Sequence, residues 1–180
     1  LTGSPPGGPV GGMAHVLFFY ALLLVACGYA LRAGGGPERA VAAILLLATV
    51  GTWAISIAGR GYYAGHFHRG GVELGILGVD AALVLALVGV AASADRFWPL
   101  WMTAIHAFGL IGHIAKGLAP DILPNVYQAA HAFSAYPGLL LLIAATQWHR
   151  QRVRATGHDR SWSICSDWSI PVRRGAGQTG

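Results

Sequence analysis

Val72–Ala92, VELGILGVDAALVLALVGVAA, decides the class of this chain, and Glu73 and Asp80 are the only charged residues in it. A helix rises 1.5 Å per residue, so about 20 apolar residues cover the roughly 30 Å of a bilayer's hydrocarbon. A soluble helix of this length would carry a polar stripe for water. This run carries none and reads as a membrane span. Four more apolar runs flank it: Met13–Leu31, Ala40–Ala58, Phe97–Leu118 and Val126–Trp148. The expectation is an all-α integral membrane bundle of five transmembrane helices.

Composition agrees. Hydrophobic residues make up 54% of the 180, and charged residues 11%, against about 25% charged in soluble domains. The net charge of +5 is concentrated at one end. From His149 onward six Arg face Asp159 and Asp167, leaving +4 there and +1 in the remainder. The basic balance therefore describes a tail, and nucleic acid is not an expected partner. Residues 1–12, LTGSPPGGPVGG, read as a flexible Gly/Pro-rich leader, residues 13–149 as the bundle and 150–180 as a basic cytoplasmic tail. RAGGGPER (32–39) reads as a break between the first two spans. Ser93–Arg96 is short enough to make spans three and four an antiparallel hairpin, with Pro99 in the first turn of span four.

Orientation follows from the loop cations. With the C-terminus inside, that side holds Arg32, Arg39, Arg96 and the six tail Arg, while the outside holds Arg60, Arg69 and Lys116. The positive-inside rule then gives N-out, C-in. Trp98, Trp101 and Trp148 fall at the inner boundary and Tyr62, Tyr63 and Tyr127 at the outer, as an aromatic belt requires. Leu24-Val25-Ala26-Cys27 has the form of a lipoprotein cleavage box, but no Lys or Arg precedes it. Cys27 reads as a small apolar helix residue. With Cys165 it makes no spaced motif.

Chemistry is expected from polar groups inside the spans, which are costly there unless paired or functional. Glu73 and Asp80, seven apart, should share a face of helix three. His106, Gly109, His113 and Lys116 form a stripe on helix four, Asn125, Gln128, His131 and Ser134 one on helix five, and Thr49, Thr52 and Ser56 one on helix two. In the N-out topology Glu73, His113, Lys116 and His131 lie in the outer half, and Asp80 and His106 near the middle. The expected site is an outer-facing intramembrane pocket of Asp80, Glu73, His106, His113 and His131. The alternative is that each bonds a neighbouring helix as packing glue.

His106, His113 and His131 could hold b-type haem, and His66 and His68, with Glu73 following, could ligate a transition metal. Arg150, Arg152 and Arg154, just past Trp148, should meet anionic lipid. Pro137 should free the Phe133 carbonyl. Gly71 and Gly75, and Gly109 and Gly112, read as close-packing seams. No Walker loop, Rossmann fingerprint, HExxH or GxSxG is present, so no catalytic motif is recognisable.

Ala94-Asp95-Arg96-Phe97-Trp98-Pro99-Leu100-Trp101, together with Tyr136-Pro137, resembles a family of small polytopic bacterial inner-membrane proteins. The resemblance covers roughly Met13–His149 and implies the inner membrane as the location, with no mechanism. Three functional classes follow: an accessory, assembly or binding subunit partnered by other membrane proteins or by further copies of itself; a haem or metal redox module; and a proton or polar-solute conduit.

Overall fold

The computed structural model describes residues 9–59, 68–69, 72–118, 124–157 and 162. Among them the chain is all-α, with five helices: α1 Pro9–Ala33, α2 Gly36–Gly59, α3 Leu74–Ser93, α4 Trp98–Leu118 and α5 Pro124–Thr156. Between α2 and α3, β1 (His68–Arg69) and β2 (Val72–Glu73) pair antiparallel, His68 opposite Glu73. Each helix packs on the next in sequence, and α5 returns to α1, which closes a five-membered ring.

Periodic stripes build the interior. Leu23, Ala26, Cys27 and Ala30 are buried on α1, Val41, Ala42 and Leu45 on α2, Leu83, Leu87 and Val90 on α3, and Leu139, Leu142 and Ala145 on α5. These three- and four-residue steps bring one face of each helix inward. Alanines at the α1, α2 and α5 contacts let backbones approach closely. Gly75 does the same between α2 and α3, because a Cβ there would sit 2.6 Å from Ile55 Cγ2; Gly71 lies outside the described residues. Thr49, Thr103 and Thr146 each donate a hydroxyl proton to the carbonyl four residues back, at 2.8 Å, which satisfies them inside apolar helices. Among the described residues, three helices contain segments long and apolar enough to cross a membrane: Ala14–Ala33, Gly36–Ile57 and Leu74–Ser93. α4 and α5 are as long.

Several boundaries differ from the sequence reading. α1 starts at Pro9, so the last four residues of the expected leader are helical. α2 begins at Gly36, four residues before the expected Ala40, because GGGPE is a start signal. Glu38 Oε2 accepts the Gly35 N–H at 3.1 Å, and Pro37 occupies the first turn. That is the reach-back of a capping box, with glycine at the cap. α3 starts at Leu74, since pairing with β1 takes up Val72 and Glu73. α5 runs past Trp148 to Thr156 and ends where Gly157, at φ 75°, donates its N–H to the Val153 carbonyl at 2.9 Å.

Beyond that cap, Trp162 pairs with Ala94 in an isolated antiparallel bridge, and its indole fills the space a Cβ on Gly36 would take. The α1–α2 connection, the α3–α4 connection and the segment after α5 therefore meet at one end of the ring.

Candidate functional site

Asp80 lies on the second turn of α3 and His113 near the end of α4, and antiparallel packing brings them level. His113 Nε2 donates to Asp80 Oδ2 at 2.8 Å. The imidazole is buried at 1% exposure, and the Asp80 side chain is 20% exposed. Donation to a carboxylate oxygen requires a proton on Nε2. The contact ties α3 to α4 by a bond no apolar pair could make.

Asp80 also forms part of the wall of a cavity of about 320 Å³ at the centre of the ring. All five helices contribute: Phe19, Tyr20 and Leu23 from α1, Leu45, Ala48, Thr49 and Thr52 from α2, Ile76, Asp80 and Leu83 from α3, His106 and Gly109 from α4, Ala135 and Leu139 from α5. The wall is largely aliphatic and aromatic, with a few polar groups, as ligand sites are. Thr49 has its hydroxyl proton committed to the Leu45 carbonyl, so it can offer the cavity only lone pairs.

His106 shares the cavity wall with Asp80 but is engaged differently. Its Nε2 is buried and has no hydrogen-bond partner. The ring lies against α5 at Gly138, where a Cβ would come within 3.2 Å of Nε2 and 3.4 Å of Met102 Sδ. Thus one α4 histidine reaches α3 and the other packs against α5 beside the cavity.

The other expected site residues distribute unevenly. Glu73 is not on α3 and does not share a helical face with Asp80. It stands in β2, opposite His68 on the paired backbone, because the hairpin claims it before the helix begins. The side chains of Glu73 and His68, and all of His66, lie outside the described residues. His131 is a residue of α5 whose side chain also lies outside them, as do those of Lys116 and Ser134. Among the described residues no three His, Cys, Asp or Glu gather as a metal-ligating group. His113 Nε2, the nitrogen a haem iron would take, is engaged by Asp80. His106 and His113 sit two turns apart on one helix, about 10 Å along its axis, and cannot both serve one metal.

At the Trp162 end is a polar cluster that the sequence reading passed over. Glu38 is fully buried; Oε2 has the Gly35 N–H, while Oε1 has no partner. The His149 ring closes on the same point, with Cε1 2.8 Å from where a Gly35 Cβ would be. Beside it Tyr29 donates its hydroxyl to Gln147 Oε1, and Arg150 donates to the Tyr29 oxygen at 3.2 Å with its guanidinium 5.8 Å from the ring centroid. Arg150, expected to face lipid, is part-buried and reaches back to Tyr29 on α1. Arg152 and Arg154 are exposed on the helical extension. The available signal was the Gly-Gly-Pro-Glu order, a capping box that puts a carboxylate at a helix start. Cys27, in the suspected cleavage box, is buried within α1.

Comparison of the chain with family models, with curated proteins and with solved structures gives no match.

Proposed function

We propose that this chain is a five-span protein of the bacterial inner membrane, N-out and C-in, that binds a small ligand in its central cavity. It is the binding member of the accessory-subunit class. The membrane reading is supported by the outward faces, where large apolar residues stand exposed on every helix, among them Leu17, Leu47, Leu85, Ile111 and Leu140. Such a belt suits lipid and not water. An odd number of crossings agrees with the two connections and the post-α5 segment meeting at one end, and the tail arginines mark that end as cytoplasmic.

One observation carries the ligand-binding reading: a cavity lined from all five helices contains Asp80, held by His113, and His106, with a buried nitrogen and no partner. Glue residues would satisfy each other across a helix contact. Here His106 Nε2 has no such partner, and Asp80 and His106 both line open volume. Gly109→Leu should fill that volume. Toluene should then raise the detergent melting temperature of the wild type, as any ligand selective for the folded state does, and leave Gly109→Leu unmoved. No shift in the wild type would refute the reading.

A proton conduit is the second reading, favoured by His113 standing behind Asp80 at hydrogen-bond distance, which extends a titratable path away from the cavity. Asp80→Asn keeps the shape and removes the titration. Under this reading function fails while the protein accumulates normally. The haem reading has less support, since it would need His131 opposite His106 and room for a porphyrin.

A further inference from the structure

We infer that the central cavity takes a lipophilic monocation, a substituted ammonium carrying an aromatic ring, with the Asp80 carboxylate as its counter-charge. The inference rests on the ligand-site reading above and narrows it to a chemical class. Charge is the first argument. Among the described wall residues there is no Lys or Arg, and the one carboxylate is that of Asp80, whose side chain keeps 20% exposure. His106 adds no positive charge. An imidazolium needs an acceptor for each N–H, and the His106 Nε2, packed on α5 at Gly138, has none. The bond from His113 leaves room for a cation as well. With a neutral imidazole the pair carries one net negative charge, and an imidazolium gives up its second proton to water as a cation arrives. A carboxylate at this depth is costly unless paired, and a cationic ligand removes that cost.

The hydroxyls and rings are the second argument. Thr49, Thr52 and Tyr20 bring three oxygens to the wall. Thr49 has committed its proton to the Leu45 carbonyl and offers lone pairs. The Thr52 and Tyr20 hydroxyls rotate, and turn either lone pairs or a proton to a ligand. They suit a cation and a neutral molecule equally, so the fixed charge of Asp80 decides between the two. Phe19 and Tyr20 stand on the same wall with ring centroids 5.5 Å apart, edge to face. An aromatic face attracts a cation within about 6 Å, quaternary ammonium groups included.

Size is the third argument. An apolar cavity of roughly 150 Å³ holds benzene, so about 320 Å³ holds that ring with a substituent of similar bulk. A bare metal ion would leave most of this volume empty, and among the described residues no three His, Cys, Asp or Glu gather to ligate one. The aliphatic part of the wall suits the hydrocarbon of an organic cation.

The test uses the full chain in an uncharged detergent with two probes of one shape, phenyltrimethylammonium and tert-butylbenzene, titrated calorimetrically. Nitrogen in one replaces carbon in the other, so they differ by a single charge. Each affinity is taken relative to the probe's own partition into protein-free micelles. On that scale the cation should bind one per chain and at least tenfold more tightly than its neutral isostere. Asp80→Asn, which keeps the shape, should weaken the cation at least tenfold and leave tert-butylbenzene unchanged. The wild-type comparison needs no variant, so it stands even where Asp80→Asn fails to accumulate. Equal affinity for the two probes, or a cation that binds Asp80→Asn undiminished, would overturn the cation assignment and leave the ligand site standing. Failure of both probes to bind would overturn the site itself.

Discussion

The contact between His113 and Asp80 makes a quantitative demand on stability. Consider Asp80→Leu, His113→Leu and the double variant. A neutral hydrogen bond between membrane helices couples its partners by about 0.6 kcal/mol, with about 1.7 the upper end. A bond to an ionised acceptor is larger, about 1.5–3 kcal/mol. Removing either partner also leaves the other without its bond, and His113 is 1% exposed, so little solvent can replace what it loses. Asp80 keeps 20% exposure and can recover some hydration from the cavity side. His113→Leu should therefore cost less than its desolvation alone suggests, and Asp80→Leu more than its position at the cavity wall suggests. The double variant replaces both with apolar groups. Such replacements of buried pairs are often neutral or stabilising, so it should fall near the wild type.

The expected coupling is about 2 kcal/mol, inside the range for a charge-assisted bond. It is read from reversible denaturation of the four proteins in mixed micelles, as the double-mutant-cycle term. A coupling below about 0.6 kcal/mol would show that the side chains do not engage as described, and the relay reading would lose its first link. Additive losses in both single variants would assign each residue a separate packing role.

Two further expectations are structural. A reporter active only outside the cytoplasm should be silent after Gly180 and active near Gly65, and swapped signals would refute the five-span, N-out arrangement. Gly36→Ala puts a Cβ onto Trp162 Nε1, so the indole must leave its seat; the Trp162 component of the fluorescence, isolated by subtracting the Trp162→Phe spectrum, should shift to the red, and an unchanged component would mean that the indole does not pack there.

Much of the fold was legible because apolar run length is a one-dimensional signal: five runs became five helices. The ends were less legible, since glycine and proline have two meanings. Gly34–Glu38 read as a break and is the cap of α2, because Glu38 reaches back to Gly35. Val72 and Glu73 read as helix and are strand, because the partner that claims them sits at His68–Arg69. The site was legible in depth and not in rotation. Asp80 stood out as a carboxylate in the middle of an apolar run, and sharing a stripe with His106 marked His113 as inward-facing. Which histidine meets the acid depends on the α3–α4 register, and that is a tertiary property. Glu38 was missed because a charge beside three glycines resembles a solvated loop, whereas here Trp162 folds back over the same end.

The local sequence around the cavity departs from what a purely structural bundle would select. Pro137 lies inside α5 and Gly138 follows it. In a helix interior, proline is about 3 kcal/mol and glycine about 1 kcal/mol less favourable than alanine. In a bundle kept only for shape, an alanine in place of Pro137 would strengthen α5. Both departures occur at the level of His106. Gly138 leaves room for the imidazole edge, where a methyl group would press on Nε2 at 3.2 Å. Pro137 withholds an N–H and releases the carbonyl one turn earlier, on the helix the imidazole faces. Ala135 and Leu139, on either side of the pair, line the cavity itself. The α5 wall is thus weakened where α4 packs an unpaired nitrogen against it. A helix breaker beside a cavity, with no packing gain of its own, is the mark of a site and not of a scaffold.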